Sequence, residues 1–165
     1  MIDETNPVSV QANGRVLAVG AESADTSIVM NFNSADSVTV NSVFNTTDSD
    51  EGFNEILNAM NPANVLLAEA FEFDVENLGF DDKASLSFRI GSGFDISQFT
   101  IYHKDSEFGW ELADVANLEY DGEYLSFIVD GFSSYGYIAI PEPSTYAAIF
   151  GAMALLFAAY RRKDS

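Results

Sequence analysis

Ala84-Ser85-Leu86-Ser87-Phe88-Arg89-Ile90 sets Leu86, Phe88 and Ile90 on one side of the chain and Ser85, Ser87 and Arg89 on the other. A period of two is the mark of a strand with one face buried and one wet. Asn77–Lys83 before it and Gly91-Ser92-Gly93 after it read as turns. The same alternation returns downstream. Phe99, Ile101 and His103 oppose Thr100 and Tyr102. Lys104–Glu107 reads as a hairpin tip, and Trp110-Glu111-Leu112 starts the returning strand. Asn117–Glu123 reads as a turn centred on Asp121-Gly122. Tyr124, Ser126 and Ile128 then alternate with Leu125, Phe127 and Val129, and Tyr135–Ile140 makes the last strand.

Upstream, Leu67, Glu69, Phe71, Phe73 and Val75 alternate with Ala68, Ala70, Glu72 and Asp74, a strand with one aromatic face. Phe53–Ala59 has helical spacing and is closed by Asn61-Pro62. Asn45–Gly52 is a polar loop. Ser37–Phe44 alternates and then slips by one residue, which a bulge or strand end near Ser42 explains. Ser27–Phe32 and Ser37–Phe44 flank a turn at 33–36, and Val8–Ala12 and Arg15–Gly20 flank Asn13-Gly14. Asn-Gly between β-rich runs predicts a hairpin. About ten short strands at roughly ten-residue spacing predict an all-β fold, an antiparallel β-sandwich of about 8–10 strands over residues 1–140. Residues 65–140 alone would also make a subdomain; one continuous sandwich is the more economical reading.

Residues 141–165 are of another kind. Ile140-Pro141-Glu142-Pro143-Ser144-Thr145 is followed by Tyr146–Tyr160, which carries no charge, and then by Arg161-Arg162-Lys163. The apolar run has no polar face, so it is not an amphipathic surface helix. As a helix it would reach roughly 22 Å, a short span against a hydrocarbon core of about 30 Å. A single transmembrane helix over 144–160 is expected, with the basic cluster kept on the cytoplasmic side and residues 1–140 on the other. A core helix is the alternative, but nothing else in the chain is strongly helical and able to pack around it. Pro141 and Pro143 hold Glu142 extended, giving a stiff exposed peptide at the membrane surface.

The order Pro-Glu-Pro-Ser-Thr, apolar span, Arg-Arg-Lys resembles the PEP-CTERM sorting signal of Gram-negative bacteria that make exopolysaccharide. The resemblance covers residues 140–165. It implies recognition by an exosortase, a membrane-embedded cysteine transpeptidase-like enzyme, with cleavage near Pro141–Pro143 and delivery to the cell surface or extracellular matrix. Pro141, Glu142 and Pro143 are then the sorting motif, as substrate residues, and Arg161, Arg162 and Lys163 the membrane stop. Asp164 and Ser165 after the basic cluster depart from the pattern. So does the start: Met1–Pro7 is acidic, and no apolar run of signal-peptide length occurs before residue 30. An internal start within a longer protein is the simplest expectation; tail-directed insertion is the other. From Leu78 onward the text is also similar to small β-sandwich modules that close many secreted bacterial proteins, a likeness from which no site carries over.

The chain has 165 residues and a net charge of −19. Residues 1–140 hold 24 of the 26 acids and only Arg15, Lys83, Arg89 and Lys104 as bases. So acidic a body argues against nucleic acid and against adhesion to anionic lipid, and leaves room for divalent cations. Cysteine is absent, which excludes a disulfide framework, a thiolate metal site and a cysteine nucleophile.

Chemistry-bearing residues are few. His103 is the sole histidine, placed at a strand end, with no Gly-x-Ser-x-Gly elbow to serve. Asp48, Asp50 and Glu51, followed by Gly52, offer hard oxygen ligands at loop spacing that calcium would accept, although no EF-hand pattern is met. Asp81-Asp82 and the set Asp114, Glu119, Asp121 and Glu123 are similar loop acids. A solvated acidic loop explains each of them equally well. Phe71, Phe73, Phe88, Phe99, Tyr102, Trp110, Tyr124 and Phe127 read as core, with Tyr102 and Trp110 the best placed for a carbohydrate-stacking platform. The sequence therefore points to a non-enzymatic exported surface or matrix protein with exosortase, the membrane and extracellular polysaccharide as partners, and no cofactor. The alternative is a carbohydrate- or calcium-binding module closing a longer secreted enzyme.

Overall fold

The computed structural model describes residues 7–11, 13–19 and 27–141. Glu142, Pro143, the apolar span 144–160 and the basic cluster 161–163 lie outside the described residues. In chain order the strands are β1 (Val8–Val10), β2 (Arg15–Val19), β3 (Ser27–Asn33), β4 (Val38–Asn45), β5 (Leu67–Glu76), β6 (Lys83–Arg89), β7 (Phe99–Asp105), β8 (Gly109–Leu112), β9 (Ala116–Tyr120), β10 (Tyr124–Val129) and β11 (Ser134–Ala139). One helix, α1 (Glu51–Ala59), and two 3-10 turns, Pro62–Asn64 and Ile96–Gln98, complete the described elements. No described helix is long and apolar enough to cross a membrane.

The strands form two sheets. One has the order β1-β4-β5-β11-β7-β8, the other β2-β3-β6-β10-β9, and every pairing is antiparallel. The inward sides of the alternating strands meet between the sheets. Phe88 is the hub, with ring centroids 5.3 Å from Phe71, 5.7 Å from Phe127 and 5.3 Å from Tyr137. Ile28, Met30, Leu86 and Leu125 fill in around them, all fully buried. Each such side chain contributes about 1.5–3 kcal/mol by leaving water. Strands from before residue 60 and after residue 65 pair in both sheets, β4 with β5 and β3 with β6.

A second, smaller core lies on the outer face of the six-stranded sheet. Phe53 of α1 is fully buried there against Ala70, Tyr102 and Ile138. Its ring sits 5.1 Å from that of Trp110. Gly136 makes the close approach possible, because a Cβ there would stand 2.6 Å from Phe53 Cε2. Asp50 caps the helix by accepting from Phe53 N at 3.0 Å.

Three expected turns came out differently. Asn13-Gly14 does not close a hairpin: β1 pairs with β4 and β2 with β3, in different sheets. Asn13, at φ 55°, turns the chain from one sheet to the other. The segment 33–36 is a second such crossover, pinned by buried Ser34, whose Oγ donates to Asp82 Oδ2 at 2.8 Å and lies 2.9 Å from Asp36 O. Asn117–Tyr120 belongs to edge strand β9 rather than to a turn. Leu118 and Tyr120 point to the core while Asn117 and Glu119 face water, and a register break opposite Ser126–Ile128 accommodates Asn117 at φ 52°. The slip near Ser42 is a break in the β4–β5 register between Val40 and Ser42.

Candidate functional site: where the chain leaves the sandwich

Strand β11 is the innermost part of the six-stranded sheet, between β5 and β7, and all six of its residues are buried. Its small and aromatic residues, Ser-Tyr-Gly-Tyr-Ile-Ala, fit that position. Gly136 receives α1, and Tyr137 fills the inter-sheet core. The ladder runs to Ala139, which lies opposite Leu67 on one side and Phe99 on the other. Leu66 N then donates to Ala139 O at 2.8 Å, and Ile140 N to Gln98 O at 3.0 Å. The next residue, Pro141, has no N–H to offer, so the ladder stops there. The first residue of the Pro-Glu-Pro motif thus stands one step beyond the last hydrogen bond of a fully buried strand.

The rim around Pro141 is held by hydrogen bonds of its own. Asp95 and Gln98 form a capping box on the 3-10 turn Ile96–Gln98, with Asp95 N donating to Gln98 Oε1 at 2.7 Å and Ser97 N to Asp95 Oδ1 at 2.9 Å. The Ser97 amide and hydroxyl hold the Asp95 carboxyl below its ordinary range. Leu66, Ile96 and Ile140 on this rim are large apolar side chains left exposed. Sequence reading did not single them out. The available signal was phase: Leu66 and Ile140 fall on the opposite side of their strands from core-facing Leu67 and Ala139.

The other candidate residues are spent on structure. Asp50 receives Lys104 Nζ at 2.7 Å on Oδ2, and Trp110 Nε1 at 2.8 Å and Phe53 N at 3.0 Å on Oδ1. Burial opposes its ionisation, but these donors outweigh burial and lower its pKa. It is a helix cap and an ion-pair partner. Asp48 and Glu51 are exposed beside it. Among the described residues no group of three His, Asp or Glu side chains is arranged to hold a metal ion. Asp82 accepts from Gly79 N and Ser34 Oγ, both at 2.8 Å, while Asp81 is exposed. Asp121 Oδ1 accepts from Glu123 N and Tyr124 N, Glu123 pairs with Arg89 at 2.7 Å, and Asp114 and Glu119 are exposed.

His103 does not sit at a bare strand end. It is half-buried in β7, opposite Glu111 in the register, with Nε2 3.0 Å from Glu111 Oε1 and its ring stacked on Tyr135. The proposed aromatic platform is also taken apart. Tyr102 is buried beneath α1, and Trp110 lies against Phe53 with its N–H committed to Asp50. Phe71, Phe73, Phe88, Phe99 and Phe127 are core, and Tyr124 is half-buried.

One half-buried polar pair escaped sequence reading. The Tyr137 hydroxyl, fully buried, donates to Glu69 directly across the β5–β11 pairing. Burial, reinforced by the Glu69 charge, pushes the Tyr137 pKa far up. Tyr135, whose hydroxyl donates to Gly131 O at 3.1 Å, is pushed up to about 12 by burial and by Asp130. Compared with protein-family models and with curated proteins, the chain matches none.

Proposed function

We propose that this is an exported, non-enzymatic cell-surface or extracellular-matrix protein, sorted through its C-terminus. In this reading residues 144–160 anchor the chain in the membrane, with the sandwich on the periplasmic or outer side. Arg161, Arg162 and Lys163 hold the far end in the cytoplasm. An exosortase recognises Pro141-Glu142-Pro143, cuts there and releases the body to the surface, where extracellular polysaccharide is its neighbour. The observation that carries the proposal is the hand-over at Ile140–Pro141. A fully buried central strand ends at Ala139, and Ile140 makes one further hydrogen bond at the rim, so the motif begins just outside the sheet. A substrate peptide needs that combination, because an enzyme must draw it into an extended conformation without unfolding the body.

The test is to express the chain, and a variant with Pro141→Ala, Glu142→Ala and Pro143→Ala, in hosts with and without the exosortase. The proposal expects surface delivery of the unaltered chain only where the enzyme is present, and membrane retention of the variant in both. Equal retention of both chains in both hosts would refute it.

A further inference from the structure

The end of the sandwich from which the tail departs differs from the opposite end. Leu66 before β5, Ile96 in the 3-10 turn before β7 and Ile140 after β11 are 51%, 37% and 37% exposed, and the two rim hydrogen bonds tie these neighbouring segments together. Three described acids stand in the loops at this end. Asp95 caps the turn beneath Ile96, Asp121 binds the backbone of its own turn, and Glu123 is neutralised by Arg89. Glu22 and Asp25 lie outside the described residues. The opposite end carries Asp36, Asp81, Asp82, Asp105, Glu107 and Asp130 in its loops. Its two exposed rings, Phe80 and Phe108, stand on separate loops among those acids.

We infer that the apolar rim formed by Leu66, Ile96 and Ile140 rests on the surface of the lipid bilayer while the tail is still attached, so that the body stands on the membrane with its acidic loops pointing away. This rests on reading 144–160 as a membrane span. Tether length argues for it. From Pro141 to Tyr146 a fully extended chain covers at most about 18 Å, so the rim cannot move far from the headgroups. A short tether turns docking into an intramolecular event, and a patch too small to bind a membrane alone becomes sufficient. Charge argues the same way, because the end turned to the lipid carries three described acids in its loops, one of them paired with Arg89, against six at the opposite end. Covering of the rim by the tail itself fits less well. Tyr146–Tyr160 is apolar all round, and three side chains would shield little of it.

The chain has no cysteine, so single labels can be placed at will. Full-length Leu66→Cys, Ile96→Cys, Phe80→Cys and Phe108→Cys, each carrying an environment-sensitive fluorophore, are reconstituted into phosphatidylcholine vesicles containing a lipid-phase quencher. All four sites are exposed, and Trp110 fluorescence confirms that each variant is folded. The inference expects labels at 66 and 96 to be quenched severalfold more than labels at 80 and 108. Equal, weak quenching at all four, in a chain that floats with the vesicles, overturns it. Labels at 66 and 96 that are shielded without vesicles and untouched by the quencher overturn it in favour of the tail. A chain that fails to float with the vesicles instead overturns the membrane reading beneath it.

Discussion

Replacing Gly136 by alanine forces the ring of Phe53 off strand β11. The added Cβ would lie 2.6 Å from Phe53 Cε2, 3.2 Å from Cζ and 3.1 Å from the Glu69 carbonyl oxygen. Carbon contacts settle near 3.5–4.0 Å, so the ring must retreat by about 1 Å. It has little room, because Trp110, Tyr102 and Ile138 close the other sides. Overpacking of this kind costs about 1–3 kcal/mol, against roughly 0.5–1 kcal/mol regained by removing a glycine from a strand. The net expectation is a loss of about 1–2 kcal/mol, or roughly 2–8 °C in Tm. Trp110 is the only tryptophan and touches Phe53, so its fluorescence follows both the local shift and urea unfolding. Phe53→Leu in the same background should relieve the clash, making the double variant more stable than the two single losses summed by about 0.5–1 kcal/mol. A Gly136→Ala protein as stable as the parent, or strict additivity in the double variant, would refute this account of how α1 is seated.

Asp50→Asn should cost about 1–3 kcal/mol at neutral pH, since it loses the ion pair with Lys104 and weakens the helix cap. The Asp50 pKa in the fold lies below the ordinary 3.8, so its contribution is complete above that value and is lost as pH falls through the folded pKa. Urea titrations should therefore show the gap between parent and variant closing below about pH 4; a gap independent of pH would contradict the assignment. Tyr137→Phe removes the hydroxyl that serves Glu69, and denaturant unfolding should register a loss of about 1.5–3 kcal/mol, the range for a hydrogen bond to a charged group. Gly14→Ala brings a Cβ within 2.3 Å of Val10 Cγ1 and 2.5 Å of the Gln11 carbonyl oxygen. Thermal unfolding of that variant should show a loss of more than about 2 kcal/mol, because the obstacle includes backbone.

Strand alternation was legible wherever one face is apolar, as in Leu86-Ser87-Phe88 and Leu125-Ser126-Phe127, because burial enforces the two-residue period. Layer assignment was not. Asn13-Gly14 and Asn33–Asp36 carry the residues of hairpin turns, yet both join strands of opposite sheets. A turn's local chemistry specifies a change of direction, not the partner found afterwards. Strand β9 was hidden because an edge strand buries only Leu118 and Tyr120 among polar residues that also suit a turn. The loop acids illustrate the same limit at the level of sites. Asp50 has the spacing of a calcium ligand, and only its contacts with Lys104 and Trp110, 54 and 60 residues away, reveal that its oxygens are already committed within the fold. The hand-over at Ile140–Pro141 was readable because proline ends a ladder wherever it occurs. The apolar rim around it needs three segments brought together and could not be read from any one of them.

The central claim is that residues beyond the Pro-Glu-Pro motif are an address removed on delivery. Intact-mass and C-terminal peptide mass spectrometry of the protein recovered from the surface of exosortase-bearing cells measures this directly. The account predicts a mature C-terminus within Pro141–Pro143, with Tyr146–Ser165 missing. Recovery of a surface protein that still ends in Arg161-Arg162-Lys163-Asp164-Ser165 would contradict it.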